Sequence, residues 1–97
     1  MHLRVLLPTR IEVDEDVSAV TAEGLEGSFG ILPRHADIAC SLVPGLLSFR
    51  GPGGSESFLA VDGGVLVKCA ERVNVSTPRA ARGELGALRR AVDEQFR

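Results

Sequence analysis

The chain has 97 residues, 13 of them acidic and 11 basic, a net charge of −2 at neutral pH. That length suits one domain with a modest core, and that charge does not suit a general nucleic-acid binder, which needs a basic stripe for phosphates. Four Phe with no Trp or Tyr also tell against the aromatic platforms on which single-stranded nucleic acid and sugars stack. No run approaches the ~20 apolar residues of a membrane-spanning helix. The opening MHLRVLLPTRIEV lacks the small-residue cleavage site of a signal peptide.

His2 to Leu7 reads as a short strand stopped by Pro8, which has no N–H to give a ladder. Ile11 to Ala22 alternates with period two, the mark of half-buried strands. Asp14-Glu15-Asp16 is expected to break it with a solvated turn. It has neither the ligand spacing nor the glycine of a calcium loop. Gly24 and Gly27 bracket the next turn, and Ser28 to Leu32 and Ile38 to Val43 follow as strands. Between them Arg34, His35 and Asp37 form a polar knuckle inside an otherwise apolar stretch, GSFGILPRHADIACSLVPGLLSF.

Pro44-Gly45 is the pair a type II turn favours at its two central positions. Leu46 to Arg50 then forms a strand, and Gly51-Pro52-Gly53-Gly54-Ser55 is a hairpin tip. That tip has no following Lys-Ser/Thr to make a phosphate loop. Asp62-Gly63-Gly64, between Phe58–Val61 and Val65–Lys68, carries the Asp-Gly hairpin signal. Arg72 to Thr77 alternates again and Pro78 closes the β region.

From Ala80 the character changes to AARGELGALRRAVDEQFR. Leu85, Leu88, Val92 and Phe96 share one face at helical spacing, the expected packing face of an amphipathic helix over 80–97. The chain therefore predicts a mainly β fold: a two-sheet antiparallel β-sandwich of about 8–10 short strands over 1–79, then one C-terminal α-helix.

The sequence supplies no catalytic constellation. Nucleophilic catalysis needs a nucleophile beside a base and an orienting acid, and the only histidines are His2 and His35. Metal binding would need several His and acidic residues on facing strands, which this chain does not supply. Cys40 and Cys69 sit among Ala, Val and Ile, so both are expected to be buried thiols rather than a disulfide framework. No catalytic, cofactor-binding or metal-ligating residue is assigned. What is left is the polar knuckle, a surface suited to contact with a partner.

The runs LRVLLPTRIEVDEDVSAVTAEGLEGSFGILPRHADI, LVPGLLSF, FLAVDGGVLVKCAERVNVST and ARGELGALRRA together resemble the epsilon subunit of F-type ATP synthases over most of the chain. The RHAD loop and DGG segment look more like the divergent sodium-translocating branch, the N-ATPases. The resemblance implies a non-catalytic central-stalk subunit at the cytoplasmic face of a bacterial inner membrane. It would bind the gamma subunit and the ring of c subunits, and meet the alpha–beta hexamer indirectly. It would couple ring rotation, driven by H⁺ or Na⁺, to ATP synthesis or hydrolysis, with no nucleic-acid partner and membrane contact only through the complex. Matching the family's ring-facing turns gives Glu26, Ser28, Arg34, His35 and Asp37 as the c-ring interface.

Two departures from the family pattern stand out. Arg34 replaces the usual Gly after Pro, and Asp37 stands where Pro is common, which predicts a salt-bridge-capable pair at the ring. The family also tends to end in a helical hairpin, whereas this chain has room for the first helix alone, as in a short-tailed form or a fragment. Where relatives carry an ATP-binding motif on that helix, the aligned run is Leu85-Gly86-Ala87-Leu88-Arg89-Arg90, with Gly in the acidic position. No bound ATP, or any other cofactor, is expected. The alternative reading is a stand-alone β-sandwich module that uses the Pro33–Asp37 loop for an unrelated protein.

Overall fold

The computed structural model describes residues 1–96, with side-chain surroundings to position 94. Its strands are β1 (His2–Leu6), β2 (Ile11–Asp16), β3 (Ala19–Gly24), β4 (Gly27–Ile31), β5 (Ile38–Arg50), β6 (Glu56–Cys69), β7 (Arg72–Ser76) and β8 (Ala80–Arg82). Helix α1 (Leu85–Ala91) follows and widens into a π-helical turn, Val92–Phe96.

β5 and β6 organise the molecule. They stay paired in one antiparallel register from Ile38↔Lys68 to Arg50↔Glu56, and this ribbon bends in its middle, near Val43 and Gly63. Its first half carries β7, β1 and β2 on the β6 side, and its second half carries β3 and β4 on the β5 side, with β8 on β6. One continuous hydrogen-bonded sheet is thereby folded into the two layers of the expected sandwich. All its pairings are antiparallel except β1 with β7, which runs parallel.

The core lies between the layers. Leu3, Val5, Val13, Leu66, Val73 and Val75 come from one layer, and Val20, Ala22, Leu47, Phe49, Leu59 and Val61 from the other, all in one buried cluster. Alternation along each strand selects them, because residues two apart share a face.

The bend corrects two expected turns. Pro44-Gly45 does not reverse the chain. It sits inside β5 at a corner where positions 43–47 stand opposite only 22–23 of β3. Pro44 gives β3 no N–H there, and the carboxylate of Glu23 accepts the Leu46 N–H at 2.5 Å in place of a ladder bond. Asp62-Gly63-Gly64 is likewise no hairpin. Gly63 (φ +74°) and Gly64 (φ +124°) take left-handed backbone while β6 runs on through them. A Cβ on Gly64 would stand 2.0 Å from the Ser76 carbonyl oxygen, so the ribbon folds there because there is no side chain.

Three further expectations change. Asp14-Glu15-Asp16 continues β2 to Asp16 instead of turning, since His2 and Arg4 on the neighbouring β1 offset the acidic charge. Ala80–Arg82, read as the opening of the helix, instead pair with Val61–Leu59 on the open edge of β6, whose backbone groups would otherwise lack partners. The helix starts only after Gly83 and Glu84. Cys69 is exposed rather than buried, because alternation points Leu66 and Lys68 inward and position 69 outward; Cys40 is half-buried and its thiol is pushed up from its ordinary pKa by that burial. Among the described residues no helix is long and apolar enough to cross a membrane.

Candidate functional site

The polar knuckle is a tight turn carried between β4 and β5. Leu32 to His35 close it twice: the His35 N–H donates to the Leu32 carbonyl at 3.0 Å, and the Leu32 N–H donates to Nδ1 of His35 at 3.2 Å. Pro33 occupies the first central position, where its fixed φ is favourable, and Arg34 the second. Ala70 is the only non-glycine among the described residues with a positive φ, so Arg34 adopts the negative φ of a type I turn. That is why an arginine fits here without strain, and glycine is not required.

Two further bonds tie the turn to the β6–β7 hairpin. Lys68, only 2% exposed, points inward at the end of β6. Its ammonium donates to the carbonyl of His35 at 2.7 Å and to that of Ala70 at 2.9 Å. Asp37 Oδ1 accepts the Ala70 N–H at 2.8 Å, at a residue held at φ +53°. Sequence reading gave Lys68 no role. The signal was there in the period-two alternation, which puts position 68 on the same inward face as Leu66.

These contacts sort the five residues matched to the ring-facing turns. Arg34, His35 and Asp37 share one loop, but Asp37 is engaged with the Ala70 backbone rather than set as an ion-pair partner of Arg34. The His35 ring is engaged with Leu32. Arg34 is exposed and has no hydrogen bond or ion pair among the described residues. Leu32 and Ile38, 49% and 43% exposed, flank the loop.

Glu26 and Ser28 belong elsewhere. Glu26, with the 80%-exposed Leu25, forms the tip of the β3–β4 hairpin, at the other end of β4 from the loop. The five residues of β4 lie between them, so Glu26 and Leu32 are about 20 Å apart along the extended strand. Ser28 faces the helix side: it lines a groove of about 360 Å³ with Glu23, Leu46, Phe58, Leu85 and Arg89.

The helix closes this groove from outside. Leu88 and Val92 are buried against Ala60, with Leu46, Phe58 and Ala81 packed around them. Leu85 stands at the groove wall. The side chain of Phe96 lies outside the described residues. α1 therefore lies on the outer face of the layer holding β3, β4 and β8, while among the described residues no element covers the outer face of the other layer.

That open face carries the main charge cluster. Both ring nitrogens of His2 meet carboxylates, Nδ1 on Asp16 at 2.7 Å and Nε2 on Asp14. Both nitrogens can donate only when the ring is protonated. The hydrogen bonds to Asp14 and Asp16 accordingly raise the His2 pKa above its usual 6.5, and the one to His2 holds Asp14 below its usual 3.8.

Residues 1–89 match the family described as ATP synthase, delta/epsilon chain, beta-sandwich domain. The ATP synthase epsilon chain of a Sulfurovum species is 33% identical over 96 residues, covering 97% of this chain and 75% of that one. The ATP synthase epsilon chain 2 of Cereibacter sphaeroides is 34% identical over 115 aligned positions, covering all of this chain and 79% of its own length. Among solved structures, a chain of the Euglena gracilis mitochondrial ATP synthase OSCP/F1/c-ring assembly superposes with a TM-score of 0.79 at 25% identity, over 95% of this chain and 61% of its own. A chain from the central stalk and c-ring of the Tetrahymena thermophila mitochondrial enzyme shares the fold, with a TM-score of 0.71 at 18% identity over 84% of this chain and 65% of its own.

Proposed function

This chain belongs to the ATP synthase delta/epsilon family, as an epsilon-type, non-catalytic subunit of the central stalk, and from that premise we propose that its Leu32–Asp37 loop is the contact through which it engages the c-ring. In this reading the sandwich binds gamma and sits on the ring, so that rotation driven by H⁺ or Na⁺ is passed to the alpha–beta hexamer. It does so from the cytoplasmic face of a bacterial membrane. The chain carries torque and performs no bond chemistry.

One observation carries the loop assignment: an arginine without a partner among the described residues projects from a turn flanked by two exposed apolar side chains. A cation flanked by apolar surface suits a partner that offers a carboxylate beside an apolar loop. Complementary charge of this kind sets orientation and encounter rate more than it adds affinity. Glu26 and Ser28 are placed at a second turn and in the groove beneath the helix, so in this proposal neither shares the Arg34 contact; Glu26 makes any ring contact separately.

Co-expression with the gamma subunit encoded nearest to it is expected to give a stable one-to-one complex by size exclusion. Arg34→Glu should then weaken binding of that complex to the c-ring by about 10-fold or more, and most strongly at low salt. His35→Ala should have a smaller effect. A one-to-one complex whose ring affinity is indifferent to both substitutions would remove the loop from the interface. A sandwich that stays alone with every gamma tested would instead favour the stand-alone binding module.

A further inference from the structure

We propose that Lys68 is the positioning residue of the Leu32–Asp37 loop, its buried ammonium holding the backbone so that Arg34 is presented to a carboxylate on the partner. This rests on the reading of that loop as a contact surface.

A lysine buried to 2% exposure is costly unless its charge is satisfied. Here both hydrogen bonds run to backbone carbonyls, of His35 and of Ala70, at 2.7 and 2.9 Å. No carboxylate pairs with the ammonium among the described residues. Charge-assisted bonds of this kind are roughly twice as strong as neutral ones, and these two bridge elements far apart in sequence. One end is the residue next to Arg34, and the other is the β6–β7 hairpin.

Asp37 adds a second staple between the same two segments, through the Ala70 N–H. The loop is thus fixed at both sides of Ala36, while the Leu32–His35 turn is closed by its own pair of bonds. His35 Nδ1 and Asp37 Oδ1 are engaged with backbone N–H groups, whereas the Arg34 guanidinium has no hydrogen bond or ion pair among the described residues. An ordered loop loses less freedom on binding than a mobile one, which is what a buried cation at this position contributes.

The test separates the clamp from the contact. Lys68→Met replaces the buried charge by an apolar side chain of similar length and removes both donors, leaving the His35 and Ala70 carbonyls to find water. Hydrogen exchange of the full chain should show the amides of Leu32, His35 and Ala70 exchanging about 10-fold faster or more. The amides of Val5 and Val75 in the core should keep their rates. Lys68→Gln, shorter and uncharged but still a donor, is measured alongside so that the test survives a poorly folding Met variant.

Ring binding supplies the second readout. In complex with gamma, Lys68→Met should lower c-ring affinity by about 5- to 10-fold while leaving its dependence on salt unchanged, since Arg34 is still present. Arg34→Glu should change the salt dependence and leave loop exchange as in the parent. Loop amides that keep their rates in both Lys68 variants, or that speed up only in step with Val5 and Val75, overturn the clamp. Faster loop exchange with ring affinity untouched by any of the three substitutions keeps the clamp and overturns the contact.

Discussion

Two places in this molecule change the direction of the chain, and they are held by opposite means. At the β5–β6 corner the ribbon folds because side chains are missing: Gly64 leaves room for the Ser76 carbonyl, and Gly45 leaves room for the Glu23 carboxylate. At the Leu32–Asp37 loop the chain turns because side chains are present, with Lys68, Asp37 and the His35 ring each bonding backbone. A bend held by shape fails all at once when an atom is added. A loop held by separate bonds loosens one bond at a time, and can be tuned without disturbing the core. Architecture sits at the first kind of site here, and the proposed contact at the second.

Gly64→Ala is the sharpest way to break that comparison and carries the largest expected effect. The new Cβ would meet backbone, at 2.0 Å from the Ser76 oxygen and 3.0 Å from its carbonyl carbon, at a residue already at φ +124°. Neither neighbour is the flexible end of a side chain, so β6 and β7 must part. A loss of about 3–5 kcal/mol is expected, combining overpacking with backbone strain. That is a large share of what a domain this size has. Urea denaturation checks it; a loss under about 1 kcal/mol would mean the corner is not held by shape.

Gly45→Ala tests the same corner from the side where the obstacle can move. Its Cβ would lie 2.1 Å from Oε2 of Glu23, a side chain that can swing away, but only by giving up its bond to the Leu46 N–H. Glu23→Ala alone should cost about 1.5–3 kcal/mol through that lost charge-assisted bond. Gly45→Ala should cost a similar amount. Because both act through one carboxylate, the double variant should cost well less than the sum, by about 1 kcal/mol or more in a double-mutant cycle. Strict additivity would show that Glu23 and Gly45 are independent.

The contrast also explains what could be read in advance. Alternation in β1, β3 and β7 and the helical spacing of Leu88 and Val92 are local patterns, and they were legible because burial selects one face of a strand or helix. Pro44-Gly45 and Asp62-Gly63-Gly64 misled because turn chemistry and strand-bend chemistry use the same residues. Which one forms depends on whether the neighbouring strand bends too, and that is a tertiary fact. Asp14–Asp16 misled for a related reason, since its acidic run is neutralised by His2 and Arg4 on another strand. In the loop, the residue types announced a polar contact, but their division of labour did not show. The His35 ring is occupied within its own turn by Leu32, Asp37 by the Ala70 N–H that only the fold brings near, Arg34 by neither, and the cation that ties the loop down comes from Lys68, far along the chain.

The smallest expected effect lies at the far anchor of the loop. Ala70 is the first residue between Cys69 and Arg72 in the β6–β7 hairpin, and it holds φ +53°, a conformation in which an L side chain is strained and glycine is usual. What keeps it there is visible: its N–H is held by Asp37 and its carbonyl by Lys68. Ala70→Gly relieves the strain and leaves both backbone bonds in place, so stability should rise by about 1 kcal/mol. If the bonds to Asp37 and Lys68 are what impose the conformation, the gain should shrink in an Asp37→Ala background, where the hairpin is freer to relax without glycine. An equal gain in both backgrounds would show that the hairpin adopts its turn unaided, and that the loop leans on it rather than shaping it.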